Sequence, residues 1–167
     1  MNIIFCNRKS KLAIGSWLIR VVDDVKFSHV AIELDGYIYE SVWPKSRILP
    51  YKKWVKKYTP VEVFYIDQRK FDKDLLKLDL EEMIEVRYSF NQLFLIGLGI
   101  LAEPFSAYLN NRSINGSHFL ICTEFVGNIL ANHFGIEFGE SKDMLSVRDI
   151  YKAVKGMRYG NFSDIGY

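Results

Sequence analysis

At 167 residues the chain is the size of one ordinary domain, long enough to bury a substantial core of its own. With 49% apolar and 25% charged residues it has the balance of a globular protein, and a net charge of +2 is too small to point to nucleic acid. Two cysteines, Cys6 and Cys122, exclude a disulfide framework and leave either a single bridge or a free thiol with a task.

The opening MNIIFCNRKSK lacks the basic start and long apolar run of a secretory signal, so export by the general pathway is not expected. Residues 2–6 (NIIFC) predict a short apolar strand, and 11–22 (KLAIGSWLIRVV) carry apolar residues at helical spacing. Next comes SHVAIELDGYIYES, residues 28–41, in which Asp35-Gly36 is a strong signal for a tight two-residue turn. With that turn, Leu34 faces Tyr37, Ala31 faces Glu40 and His29 faces Val42. His29, Ala31, Glu33, Ile38, Glu40 and Val42 then share one side; Val30, Ile32, Leu34, Tyr37, Tyr39 and Ser41 share the other, which is apolar and should meet the core. Glu40 lies diagonally from His29 at a Cβ separation of about 7–8 Å, which long side chains bridge. Such a carboxylate fixes the imidazole tautomer and favours its protonated form. Glu33 is the alternative orienting acid, and a one-residue slip would exchange the two faces. An ordinary edge-strand salt bridge is the plainer reading of the hairpin alone.

A loop with two prolines is expected over 41–53, and the lysines of YKKWVKKY (Lys52, Lys53, Lys56 and Lys57) read as a solvated face. VEVFYI (61–66) predicts another strand. Residues 70–86 predict an amphipathic helix with Phe71, Leu75 and Leu78 among its apolar positions, and a further helix is expected over 89–102. The apolar run 93–105 is short for a membrane span and is closed by Glu103 and Pro104; it reads as a buried helix, with weak membrane-surface contact as the lesser alternative. A polar loop (110–118) then leads into ICTEFVGNILANHFG, where Phe125, Val126, Ile129, Leu130 and Phe134 form a helical stripe and Gly135 fits the C-cap. SVRDIYKAV (146–154) predicts a last short helix. No repeat or linker interrupts the chain, so the expectation is a single α+β domain over 1–167.

Cys122 opens the helical pattern after the polar loop. A helix N-terminus favours a thiolate, and its free N–H groups can hold the oxyanion formed when that thiolate attacks a carbonyl. A nucleophilic cysteine needs a base and a group to orient that base, brought together by the fold and not by sequence. His29 with Glu40 supplies such a pair. Cys6, within an apolar strand, is a poorer nucleophile candidate; His118 competes as base, and His133 reads as surface or structural. The histidines are scattered, and no metal or other cofactor is expected.

These residues together resemble the circularly permuted papain-like cysteine hydrolases, the YiiX-like and lecithin retinol acyltransferase-like proteins related to NlpC-type cell-wall peptidases. The matching segments are Ser28-His29-Val30-Ala31, Glu40-Ser41 and Cys122-Thr123-Glu124. VRYSFNQL (86–93) is similar to the family's tyrosine segment, and the opening and SVRDIYKA resemble the usual start and end. Glu40, where the acyltransferase branch carries a second histidine, favours the YiiX-like branch. The resemblance implies a papain-like fold with a small antiparallel sheet packed on helices. It implies Cys122 as nucleophile, His29 as base and Glu40 as orienter, with Tyr88 and Thr123 as substrate-binding or oxyanion candidates. Glu124 reads as an acid stabilising the first helical turn.

The implied chemistry is amide cleavage through a thioester, with a peptide bond of bacterial cell-wall stems as the first substrate. A phage-borne or cytoplasmic setting is expected. A lipid-directed acyltransferase, amidase or thioesterase is the second reading, drawn from 93–102 and the aromatic loop around Trp43 and Trp54. A catalytically silent binding module is the third. The oligomeric state stays open.

Overall fold

The computed structural model of the chain describes residues 1–9, 25–88, 119–138 and 145–159. The helices expected over 11–22 and 89–102, the apolar run 93–105 and the polar loop with His118 lie outside the described residues.

Five strands form one antiparallel sheet: β1 (Asn2–Arg8), β2 (His29–Leu34), β3 (Tyr37–Glu40), β4 (Arg47–Pro50) and β5 (Tyr58–Tyr65), in the spatial order β4-β3-β2-β1-β5. The Asp35-Gly36 turn forms with both residues at positive φ (52° and 80°), the geometry that matches strand twist. It sets the expected register, Leu34 opposite Tyr37 and Ile32 opposite Tyr39. The ladder ends there, short of the expected Ala31–Glu40 and His29–Val42 pairs; on their other edges Ala31 and His29 pair with Ile4 and Cys6 of β1, and Glu40 pairs with Arg47 of β4.

β4 and the helical turn after it, α1 (Tyr51–Trp54), occupy what was expected to be a loop. Pro50 is accommodated because β4 is an edge strand, where a missing N–H costs no ladder bond. β5 starts three residues before its predicted position and runs along β1 with an irregularity between Phe5 and Cys6.

Strand alternation divides the sheet's side chains between two cores. Ile3, Phe5, Val30, Ile32, Leu34 and Phe64 face three helices: α2 (Lys73–Glu82), α3 (Cys122–Phe134) and α4 (Val147–Tyr159). The smaller core on the opposite face holds Ile4, Cys6, Ala31, Ile38, Trp54 and Tyr58. This second burial explains why β1 is apolar without interruption over Ile3–Cys6.

The helix stripes follow from 3.6-residue spacing. In α3 the five stripe residues are buried, and Gly135 closes the helix at φ 62°. In α2 the buried residues are Leu76 and Leu80; Leu75 and Leu78 are exposed, which corrects the expected stripe. Truncating a fully buried leucine to Ala costs about 2–5 kcal/mol, so Leu76 and Leu80 anchor this helix. His133 of α3 reaches Asp79 of α2 at 2.8 Å, a structural tie. A short parallel pair, β6 (Arg87–Tyr88) with β7 (Phe119–Leu120), lies immediately before α3. Among the described residues no helix is long and apolar enough to cross a membrane.

Candidate active site

His29 is the first residue of β2, and Cys122 is the first residue of α3, which packs against that strand. β7 delivers the chain to Ile121, whose N–H donates to Glu124 Oε2 at 2.9 Å. Glu124 therefore caps the helix from its own first turn, as expected, and the next N–H groups have no carbonyl within the helix to bond. Cys122 is nearly buried and carries a free thiol, as does Cys6.

The imidazole of His29 lies between two partners. Nε2–H donates to the Glu40 carboxylate at Oε2, 2.9 Å away, and the neighbouring Cys122 side chain also favours the protonated ring. Burial alone would strip the imidazolium of its proton. The neighbouring Cys122 and Glu40 outweigh it, raising the His29 pKa to about 10.

Glu40 is wholly buried and accepts four hydrogen bonds. Oε2 takes His29 and Trp54 Nε1, each at 2.9 Å; Oε1 takes Arg47 Nε at 2.9 Å and Nη2 at 2.6 Å. Burial opposes its charge, yet these donors and the cations His29 and Arg47 hold its pKa down to about 2. Glu33, the other candidate, is spent elsewhere: it accepts from Asn2 Nδ2 at 2.6 Å and from Gly36 N–H at 2.7 Å, bracing the turn.

Four rings stack behind this group. Tyr51 lies on Trp54 with centroids 6.0 Å apart, Trp54 on Tyr58 at 5.0 Å, and Tyr58 on His29 at 5.4 Å. The column fixes the imidazole plane from one side as Glu40 fixes its edge. Of the expected aromatic loop, Trp54 instead ends the helical turn α1 and is fully buried, while Trp43 is exposed. Arg47, Trp54 and Tyr58 were not foreseen as site residues; Tyr51 and Trp54 come from the helical turn α1 and Tyr58 from the start of β5. Trp54→Phe keeps the stack and deletes the indole donor. A stability loss of about 1–3 kcal/mol is expected in urea unfolding, and an unchanged midpoint would show that Glu40 does not need that bond.

Tyr88 pairs with Leu120 in the parallel ribbon, two residues before Cys122. Burial, with the neighbouring Cys122 adding to it, pushes its phenol well above the ordinary tyrosine value. Thr123 is buried, and its Oγ1 has no hydrogen-bond partner among the described residues. Cys6 sits opposite His29 in the ladder, and burial drives its thiol far above the usual range.

The arrangement can hold a nucleophile, move a proton at the imidazole, and stabilise a developing oxyanion at a helix N-terminus. A scan against protein-family models finds no match for this chain, and a search of curated proteins finds none either.

Proposed function

We propose that this chain is a cysteine hydrolase of the permuted papain-like, NlpC-related type, cleaving an amide through a thioester on Cys122. The observation that carries the reading is an imidazole held by a buried, fourfold hydrogen-bonded carboxylate, on the strand against which the Cys122 helix packs. A structural histidine has no need of both neighbours. The hairpin register supports it independently, because it brings Glu40 and not Glu33 to His29.

In the proposed cycle the Cys122 thiolate attacks the carbonyl carbon and the carbonyl π pair moves to oxygen. N–H groups of the first turn of α3 hold that oxyanion. The C–N bond then breaks and the leaving amine takes the His29 proton. Water, deprotonated by His29, attacks the thioester, the C–S bond breaks, and the carboxylic product departs from a regenerated thiolate. Tyr88 and Thr123 adjoin the reacting sulfur and position the substrate. Cell-wall stem peptides are the first substrates to test. The lipid-directed reading loses Trp54, buried behind the triad, as a contact residue.

The test is acyl-enzyme capture with p-nitrophenyl acetate. A burst of nitrophenolate and a mass adduct on the Cys122 peptide, released by hydroxylamine and absent from Cys122→Ala, are expected. No burst and no adduct in the wild type would overturn the reading.

A further inference from the structure

The cations of this protein are unevenly placed, and their placement speaks to the substrate. Cys6 pairs with His29, so the residues after Cys6 in β1 continue past the reactive pair. Arg8 pairs there with Tyr58, whose ring stacks on His29. Lys57 precedes Tyr58, and its carbonyl accepts from Lys9 N–H at 2.9 Å. The Lys26 carbonyl accepts from Asn7 Nδ2 at 2.7 Å, one residue before Arg8. On the other flank Arg87 precedes Tyr88, which pairs with Leu120 two residues before Cys122.

Arg8, Lys9, Lys26, Lys57 and Arg87 are all exposed, and none forms an ion pair among the described residues. Among the described residues, acids on this side are engaged: Glu40 with His29 and Arg47, Glu85 with Lys45, and Glu124 with the N–H of Ile121. The opposite end of the sheet is balanced in charge: around the hairpin turn and the end of β5, Asp35 pairs with Lys73 at 2.9 Å and Asp67 with Arg69 at 2.6 Å. A chain of net charge only +2 thus presents a basic rim at the end that holds its thiol.

We infer that this site takes an anionic substrate, one bearing a carboxylate or phosphate group beside the bond to be cleaved, drawn in by the rim of Arg8, Lys9, Lys26, Lys57 and Arg87. This rests on the reading of Cys122 as a nucleophile. Cations grouped around a cleft raise the local concentration of anions and their encounter rate, whereas the same charges spread evenly would not.

The test compares alkylation of Cys122 by anionic iodoacetate and neutral iodoacetamide, read by peptide mass spectrometry, in wild type and in the triple variant Arg8→Gln, Lys57→Gln, Arg87→Gln. The His29 imidazolium attracts iodoacetate in both proteins, so their difference isolates the rim. The iodoacetate-to-iodoacetamide rate ratio is expected to fall roughly tenfold in the variant, with the iodoacetamide rate itself unchanged. In the wild type the ratio should also fall between about 10 mM and 1 M salt, as the screening length shrinks from roughly 30 Å to 3 Å. Glutarate and inorganic phosphate, as competitors, should protect wild-type Cys122 more than variant Cys122, and the better of them identifies the group. A ratio indifferent to both salt and the substitutions, with protection by neither anion, overturns the inference while leaving the nucleophile intact. A wild-type Cys122 inert to both reagents instead defeats the reading beneath it.

Discussion

In the His29→Ala protein, Cys122 is expected to react with iodoacetamide at pH 7 about 100-fold more slowly than in the wild type. A neighbouring cation favours the reactive thiolate form of a cysteine by on the order of 10²-fold, and His29 is the imidazolium beside this sulfur. Cys6 serves as an internal reference: it is fully buried, its thiol is pushed far upward, and it should stay unlabelled in both folded proteins. The pH dependence has a definite sign. The His29 pKa lies above its ordinary value, so the imidazolium persists through neutrality and is lost as pH rises through about 10. Reactivity that depends on the imidazolium should therefore hold a plateau below that point and give way above it, and His29→Ala should have no plateau. Rates that match in the two proteins at every pH would mean that the contact serves packing alone. Unfolding in urea at pH 7 separates this outcome from mere loss of structure, since His29→Ala keeps both apolar cores.

Much of this site was legible because it depends on local geometry. Asp35-Gly36 specifies a turn, the turn specifies register, and the register decides between Glu40 and Glu33. Cys122 at a helix start was legible for the same reason, since the apolar stripe and Gly135 bracket α3 from both ends. Arg47, Trp54 and Tyr58 were not. Each reaches the site only after the chain has folded back over the second face of the sheet, and no periodicity within 41–53 announces an edge strand of four residues. The exchange of Leu75 and Leu78 for Leu76 and Leu80 has a similar origin. Both pairs fit helical spacing, and only the direction in which α2 lies on the sheet selects one.

Glu40→Gln should be the costliest polar substitution among the described residues. One carboxylate satisfies His29, Trp54 and Arg47 from two oxygens; a Gln carbonyl serves one side, and its amide presents N–H to donors on the other. Removing one member of a buried charged pair leaves the remaining charge uncompensated, and a loss on the order of 3 kcal/mol in urea unfolding at pH 7 is expected. The acid limb provides the sharper measurement. The Glu40 pKa is depressed from the ordinary carboxylate value to about 2, so its contribution to stability is complete above about pH 4.5 and disappears as pH falls toward 2. Over that interval wild-type stability should drop more steeply than that of Glu40→Gln, and the two should converge near the acid end. Parallel slopes would show that Glu40 titrates alike in the folded and unfolded chains, contrary to its burial against two cations. The same variant also tests the orienting role. If Glu40 holds the tautomer and plane of His29, Cys122 alkylation should slow by at least about tenfold under conditions where Glu40→Gln is still fully folded. Unchanged alkylation in the folded variant would confine Glu40 to supporting the second core, with Tyr58 and the stacked rings sufficient to hold His29 against the thiol.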